Sequence, residues 1–325
     1  MGTRRGLGSA AALILVLALS GCFGSPPPVP SALRPPVAAA ATTPSLVQST
    51  YPVGLRVLRL RRGPDRPLPT LVFYPVATPP AEWPGSGDGT GRMAGARHPA
   101  AEVLRDGDPA PGRFPLVVFS HGLRGSPESF ATALTRWAAA GFVVAAPTFP
   151  RTNADAKPYR RRDIVNQPDD VRHVLARLRG LSAKDPLHGH LDMNRIAAVG
   201  HSAGGYTTTG LFVAGHDPRL RAGLILAGWQ APGAFAGPAA NMLFLQGTND
   251  PVVPPAKSRA AYANVPWPKA YVLMPGISHA DYLHPGQLGY AQVETTALDF
   301  LRWTLKADAA AGRRLPPMVR PGSIA

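Results

Sequence analysis

The sequence predicts an α/β fold, a mostly parallel, eight-stranded sheet with helices on both faces, and three observations carry that prediction. Short apolar runs alternate with helical patterns from Leu116 to Leu305, as expected of parallel strands buried on both faces. Gly200-His201-Ser202-Ala203-Gly204-Gly205 follows the run Arg-Ile-Ala-Ala-Val at 195–199, so a G-x-S-x-G turn sits where a buried strand ends and a helix begins. Two later runs, 242–245 and 270–274, are each followed by a short turn rich in polar residues, the first carrying Asp250 and the second His279.

In chain order, Arg4 and Arg5 precede an apolar stretch at 10–19, and Leu19-Ser20-Gly21-Cys22 closes it. This reads as an export signal, too short to span a bilayer as a mature helix. Cys22 is the single cysteine of the chain, and with the small residues before it the segment resembles a bacterial lipoprotein lipobox. The resemblance implies a signal peptide over 1–21, a diacylglyceryl group on Cys22, and a protein anchored to the outer face of the cell membrane by acyl chains. Residues 22–50 are rich in Pro and Ala without hydrophobic periodicity and read as a tether.

The catalytic domain is expected over 51–307. Strands are predicted at 53–60 and 69–74, antiparallel at a sheet edge and joined by a turn-rich connection. The stretch 77–113 is full of Gly, Pro and small polar residues and reads as an insertion loop with one helical turn near 100–104. Strands follow at 116–119, 142–146, 195–199, 222–227, 242–245 and 270–274. Helices are expected at 127–140, 167–178, 207–214, 256–263 and 287–305. Residues 308–325 read as a disordered tail. Fewer than twenty residues separate the strand at 222–227 from the one at 242–245, too few for an inserted cap domain.

A chain of 325 residues, 45% of them hydrophobic, is long enough for one sizeable core. The formal charge of +15 comes mostly from arginine, including the trio Arg160-Arg161-Arg162. It reads first as a solvated basic surface, with attraction to anionic headgroups as the functional alternative. No nucleic-acid-binding module is recognisable, and a monomer is expected. With Cys22 the sole cysteine, the catalytic domain has neither disulfides nor a thiolate metal site.

A serine hydroxyl needs an adjacent base, and the base needs an orienting acid. Ser202, His279 and Asp250 fill these roles at the ends of three predicted strands. Asp281 and Asp217 are weaker candidates for the acid, and His284 is the alternative base. An oxyanion requires two preorganised N–H donors, expected from Ala203 and from Leu123 in the loop Ser120-His121-Gly122-Leu123-Arg124. His121 is expected to support that loop. His201 belongs to the elbow turn, directed away from the reacting carbonyl.

From Tyr51 to about Leu305 the chain resembles the α/β-hydrolases, and within them the platelet-activating-factor acetylhydrolase, dienelactone hydrolase and bacterial polyester hydrolase (cutinase-like) group. The matching stretches are Leu68-Pro69-Thr70-Leu71-Val72-Phe73-Tyr74-Pro75, Pro115-Leu116-Val117-Val118-Phe119-Ser120-His121-Gly122, 200–205, 247–254 and 276–280. The resemblance implies a serine ester hydrolase, of esterase or lipase type, without a cofactor, acting on a small-molecule or lipid-like ester. It departs from the dienelactone branch, whose nucleophile is a cysteine where Ser202 stands here. Trp229 resembles a tryptophan lining the acyl-side cleft of polyester hydrolases, with a packed surface tryptophan as the alternative. The segment 149–162 is expected to form a mobile basic rim. Two other readings are a peptidase of prolyl-oligopeptidase type and a surface-binding lipoprotein that has kept the fold without turnover.

Overall fold

A computed structural model describes residues 51–77 and 103–317. The expected signal peptide, Cys22, the tether and most of the insertion loop lie outside the described residues.

Among the described residues nine strands form one sheet: β1 Val53–Arg61, β2 Pro67–Pro75, β3 Val103–Arg105, β4 Phe114–Ser120, β5 Val143–Pro147, β6 Leu191–His201, β7 Leu220–Leu226, β8 Asn241–Gly247 and β9 Lys269–Met274. Their spatial order is β3-β1-β2-β5-β4-β6-β7-β8-β9. From β5 to β9 every pairing is parallel, whereas β2 runs antiparallel to both β1 and β5. Six α-helices among the described residues accompany the sheet: α1 Ala131–Ala139, α2 Gln167–Arg179, α3 Ala203–Leu211, α4 Pro255–Asn264, α5 Tyr290–Lys306 and α6 Ala309–Arg314.

The side-chain alternation along β4 shows why this strand is apolar almost throughout. Val117 and Phe119 join a core with Trp137 of α1 and Phe300 of α5, while Leu116 and Val118 join a second core with Val174 of α2 and Ala261 of α4. Both faces are therefore covered, and a polar residue has no exposed side to occupy. The order reverses about β4, with β5 on one side and β6 on the other. In open α/β sheets such a switch point opens a crevice beyond the carboxyl ends of the strands. The loop after β4 and the turn after β6 both emerge there.

Three expectations are corrected. The sheet has nine strands among the described residues, not eight, because residues 103–105, which overlap the helical turn expected near 100–104, pair with β1 in parallel, Val53 opposite Val103 and Leu55 opposite Arg105. The helix expected at 127–140 begins as a separate 3-10 turn, Pro127–Phe130, before α1. The stretch 308–317, expected as part of a disordered tail, carries α6: Asp308 caps it by accepting from the Ala311 N–H at 3.0 Å. Arg314 pairs with the buried Asp299 of α5, and Gly312 sits so close to Trp303 that a Cβ there would lie 2.6 Å from the ring. Between β7 and β8 only residues 227–240 intervene, with no cap domain.

Candidate active site

Ser202 stands at the junction of β6 and α3 with φ 57° and ψ −118°, a left-handed conformation that costs a non-glycine residue about 1–3 kcal/mol. The surrounding backbone enforces it. A Cβ on Gly200 would lie 2.0 Å from the Gly204 carbonyl oxygen, one on Gly204 would lie 1.8 Å from the Ser120 carbonyl oxygen, and one on Gly205 would lie 2.7 Å from Gly228 Cα. The Ser202 N–H donates to the Leu226 carbonyl of β7 at 2.8 Å. Sheet and helix thus hold the elbow from both sides, and the serine is nearly buried, 8% exposed.

Asp250 follows β8 and is buried. Its Oδ1 accepts from the Val252 and Val253 N–H groups at 2.9 and 2.8 Å, and its Oδ2 accepts from Gln246 Nε2 at 3.0 Å. Oδ2 also meets His279 Nδ1 at 2.7 Å. A carboxylate that already accepts from three other donors leaves His279 to donate, so the imidazole proton is on Nδ1 and the Nε2 lone pair is free. The loops that carry Asp250 and His279 touch directly: the Asn249 N–H donates to the Ile277 carbonyl at 2.9 Å, and a Cβ on Gly247 would lie 2.2 Å from that oxygen. Among the described residues Ser202 Oγ makes no hydrogen bond to His279, a contact that commonly tightens only with substrate bound.

The alternatives have other partners. Asp281 accepts from the Ser278 N–H at 3.0 Å and so closes the turn that carries His279. Asp217 lies just before β7, held by Arg219 and Arg179, and its hydrogen bonds to Arg219 lower its carboxyl pKa to about 2. His284 is exposed.

Leu123 and Ala203 bring their N–H groups to the same edge. Among the described residues neither donates to a protein acceptor, and Gly122 approaches the elbow closely enough that a Cβ would lie 3.2 Å from Ser202 Cβ. The loop is pinned from behind. His121 Nδ1 donates to the Gly122 carbonyl at 2.8 Å, and its Nε2 accepts from the Phe149 N–H at 3.2 Å. Arg124 N–H donates to the Thr152 carbonyl at 2.8 Å. Thr152 Oγ1 accepts from Gln167, whose Oε1 accepts from Thr207 of α3 at 2.5 Å. This buried chain links the oxyanion loop, the segment after β5 and the elbow helix, and local patterns did not reveal it because its members are far apart in sequence. The segment 149–162, expected to be mobile, is tied at its start by His121 and bounded beyond its end by Arg66, which bridges Asp163 and Asp170.

Burial pushes His121 down to about 4, and burial beside His279 pushes His201 down to about 3. The denatured chain protonates both near the ordinary value of about 6.5. Between that value and the native ones the unfolded state holds more protons, so stability falls as pH falls, by about 1.4 kcal/mol per unit for each histidine. Urea midpoints followed from neutral pH into the acid are expected to drop with this slope. H121Q should remove the share of one proton, and an unchanged slope would contradict neutral burial of His121.

Trp229, just after β7, is partly exposed and packs against Tyr206 with ring centroids 5.6 Å apart. Tyr206 lies one turn past the nucleophile, its N–H donating to the Ser202 carbonyl at 3.2 Å. An aromatic surface therefore borders the crevice.

The switch-point crevice, the strained serine elbow after a parallel strand and the hydrogen-bonded Asp250 and His279 at later strand ends define an α/β-hydrolase fold. Residues 102–291 match the family model described as PET hydrolase-like, and the chain belongs to that family. It is also similar to the platelet-activating factor acetylhydrolase of Cavia porcellus, 24% identical over 37% of this chain and 36% of that protein. The chain thus matches little more than a third of that relative's length.

Proposed function

We propose that the protein is a serine carboxylic-ester hydrolase that forms an acyl-enzyme at Ser202, with His279 as general base and acid and Asp250 as its orienting acid. The observation that carries this reading is the 2.7 Å bond from His279 Nδ1 to the buried Asp250, which frees Nε2 as a base at the edge where the strained serine is presented. In the first step Ser202 Oγ forms a bond to the ester carbonyl carbon while its proton passes to His279 Nε2, and the carbonyl electron pair moves onto oxygen. The N–H groups of Leu123 and Ala203 receive that oxyanion. Collapse breaks the bond to the alkoxy oxygen, which takes the proton from His279. Water then repeats the sequence on the acyl-enzyme, releasing the acid and restoring Ser202.

The short connection 227–240 carries no inserted cap, and the Tyr206–Trp229 pair offers an apolar surface for the acyl or alcohol portion of the ester. Arg124, Lys157, Arg160, Arg161 and Arg162 are exposed on the neighbouring rim, which favours esters that carry or release an anionic acid. The Cys22 lipobox supports attachment to the outer face of the cell membrane, with the catalytic domain on a tether.

The test is hydrolysis of p-nitrophenyl esters from acetyl to palmitoyl, beside a peptide p-nitroanilide, by wild type and by D250N. Ester turnover is expected without amide turnover, and D250N should lower kcat by about 10⁴-fold because the amide no longer fixes the productive imidazole tautomer. Amide hydrolysis at a comparable rate would favour a peptidase, and a D250N enzyme with unchanged kcat would remove Asp250 from the mechanism.

A further inference from the structure

His201, the first variable residue of the G-x-S-x-G turn, lies immediately before Ser202 and is almost wholly buried, 6% exposed. Its Nε2 is 2.9 Å from the main-chain carbonyl oxygen of His279. A carbonyl only accepts, so His201 must carry its proton on Nε2 and donate. The ring is fixed on its other sides by Phe130, with centroids 5.9 Å apart, and by Tyr282 at 6.2 Å, and it packs against the His279 ring itself at 4.7 Å. On the nucleophile's side, a Cβ on Gly122 would lie 3.4 Å from His201 Nδ1.

We propose that His201 is a positioning residue for the catalytic base: its Nε2–H holds the His279 carbonyl and thereby registers the imidazole of His279 against Ser202, one residue away. The proposal rests on the triad reading given above.

The base sits at the end of a turn, Gly276-Ile277-Ser278-His279, that is exposed at Gly276. Asp250 holds the ring at Nδ1 but leaves it able to pivot about that bond. A second hold on the main chain of the same residue removes the pivot, and because the donor is the neighbour of Ser202, nucleophile and base are tied through a single peptide unit. A misplacement of the order of 1 Å between reacting groups can cost about 10²-fold in rate, so a link this short has leverage on kcat. The second buried histidine of the site, His121, performs the parallel task for the oxyanion loop: each ring has its donor nitrogen committed to a main-chain carbonyl.

The experiment compares H201Q with H201M. The two side chains have similar length and shape, but only glutamine can donate to the His279 carbonyl from the position of Nε2. H201M is expected to lose about 10²-fold in kcat with KM within about 2-fold of wild type, while H201Q recovers most of that loss; reaction with a fluorophosphonate should slow in parallel. Equal kcat in the two variants, or a change confined to KM, would overturn the proposal. If both fold poorly, the nitrogen NMR shifts of His201 in the wild-type protein decide: a proton on Nε2 is required, and a proton on Nδ1 overturns it. Failure of the triad reading is separately visible, since it would appear as retained turnover in S202A, whatever the His201 variants do.

Discussion

Ser202→Ala is expected to lower kcat for ester hydrolysis by about 10⁶-fold, the scale of losing a nucleophile that works as one unit with its base, while leaving the fold intact. The geometry argues for so large a loss. The strained conformation at Ser202 would be an unrewarded cost in a protein that used the turn only for packing, and the free N–H groups of Leu123 and Ala203 have nothing to stabilise if no acyl carbon is attacked beside them. A residual rate above water is expected from the oxyanion donors and binding alone. Because alanine keeps the Cβ and removes only the hydroxyl, unfolding by urea should shift by less than about 1 kcal/mol, the range of substitutions that neither open a large cavity nor strand a buried charge. Steady-state kinetics on a p-nitrophenyl ester with a matched urea titration checks both halves of this expectation.

Gly204→Ala is the substitution expected to damage the fold most. Its Cβ would stand 1.8 Å from the Ser120 carbonyl oxygen and 3.0 Å from that of His121, and both are main-chain atoms of β4 and the loop that follows it, with no side chain to swing aside. Relief requires α3 to move away from the sheet, which would separate the elbow from the oxyanion loop. A cost above about 4 kcal/mol is expected, placing this change in the rare class of severe single substitutions. Soluble yield and the urea midpoint measure it. A stable G204A enzyme with normal turnover would mean that the approach of α3 to β4 is looser than described. Alanine at Gly276, by contrast, meets nothing within 4 Å, and its cost should be limited to the positive φ of 74° at that position.

The parts of the fold that were legible in the sequence are those whose physics is local. Strands β4, β5, β7 and β8 are almost wholly buried, so their composition alone marks them, and Gly200 is demanded by a contact within its own strand, turn and helix, whereas Gly204 and Gly205 answer to Ser120 and Gly228. The juxtaposition of Asp250 and His279 was legible for a related reason: each follows its strand by a few residues, so the parallel sheet brings them to one edge once the strands are aligned. What was not legible depends on distant partners. Strand β3 is three residues long and exists through β1, and α6 exists through Trp303 and Asp299 of α5. The same holds inside the site. Nothing near His201 in sequence marks a bond to the carbonyl of a residue in a loop after β9, and nothing near Thr152 points to Gln167 and Thr207. His121 was read as a support for its loop, yet its bond to the Phe149 N–H also anchors the basic rim, and that second role needed the tertiary structure.

The rim also shows why charge alone was a poor guide. Arginines at 62 and 66 are absorbed by Asp170 and Asp163, and Arg219 by Asp217, so the formal charge of the chain overstates what is free to attract a ligand. Arg124, stacked over Tyr159 at 4.1 Å, stands beside the oxyanion loop with an exposed guanidinium and is better placed than the total charge to influence which ester is chosen.

The most direct test of the account is to treat the wild-type protein with a fluorophosphonate, digest it and locate the adduct by mass spectrometry, with turnover followed in parallel. A single adduct on the peptide containing Ser202, formed in step with loss of ester hydrolysis, is the predicted result. Full inactivation with the adduct on another residue, or stoichiometric labelling of Ser202 with turnover unchanged, would contradict it.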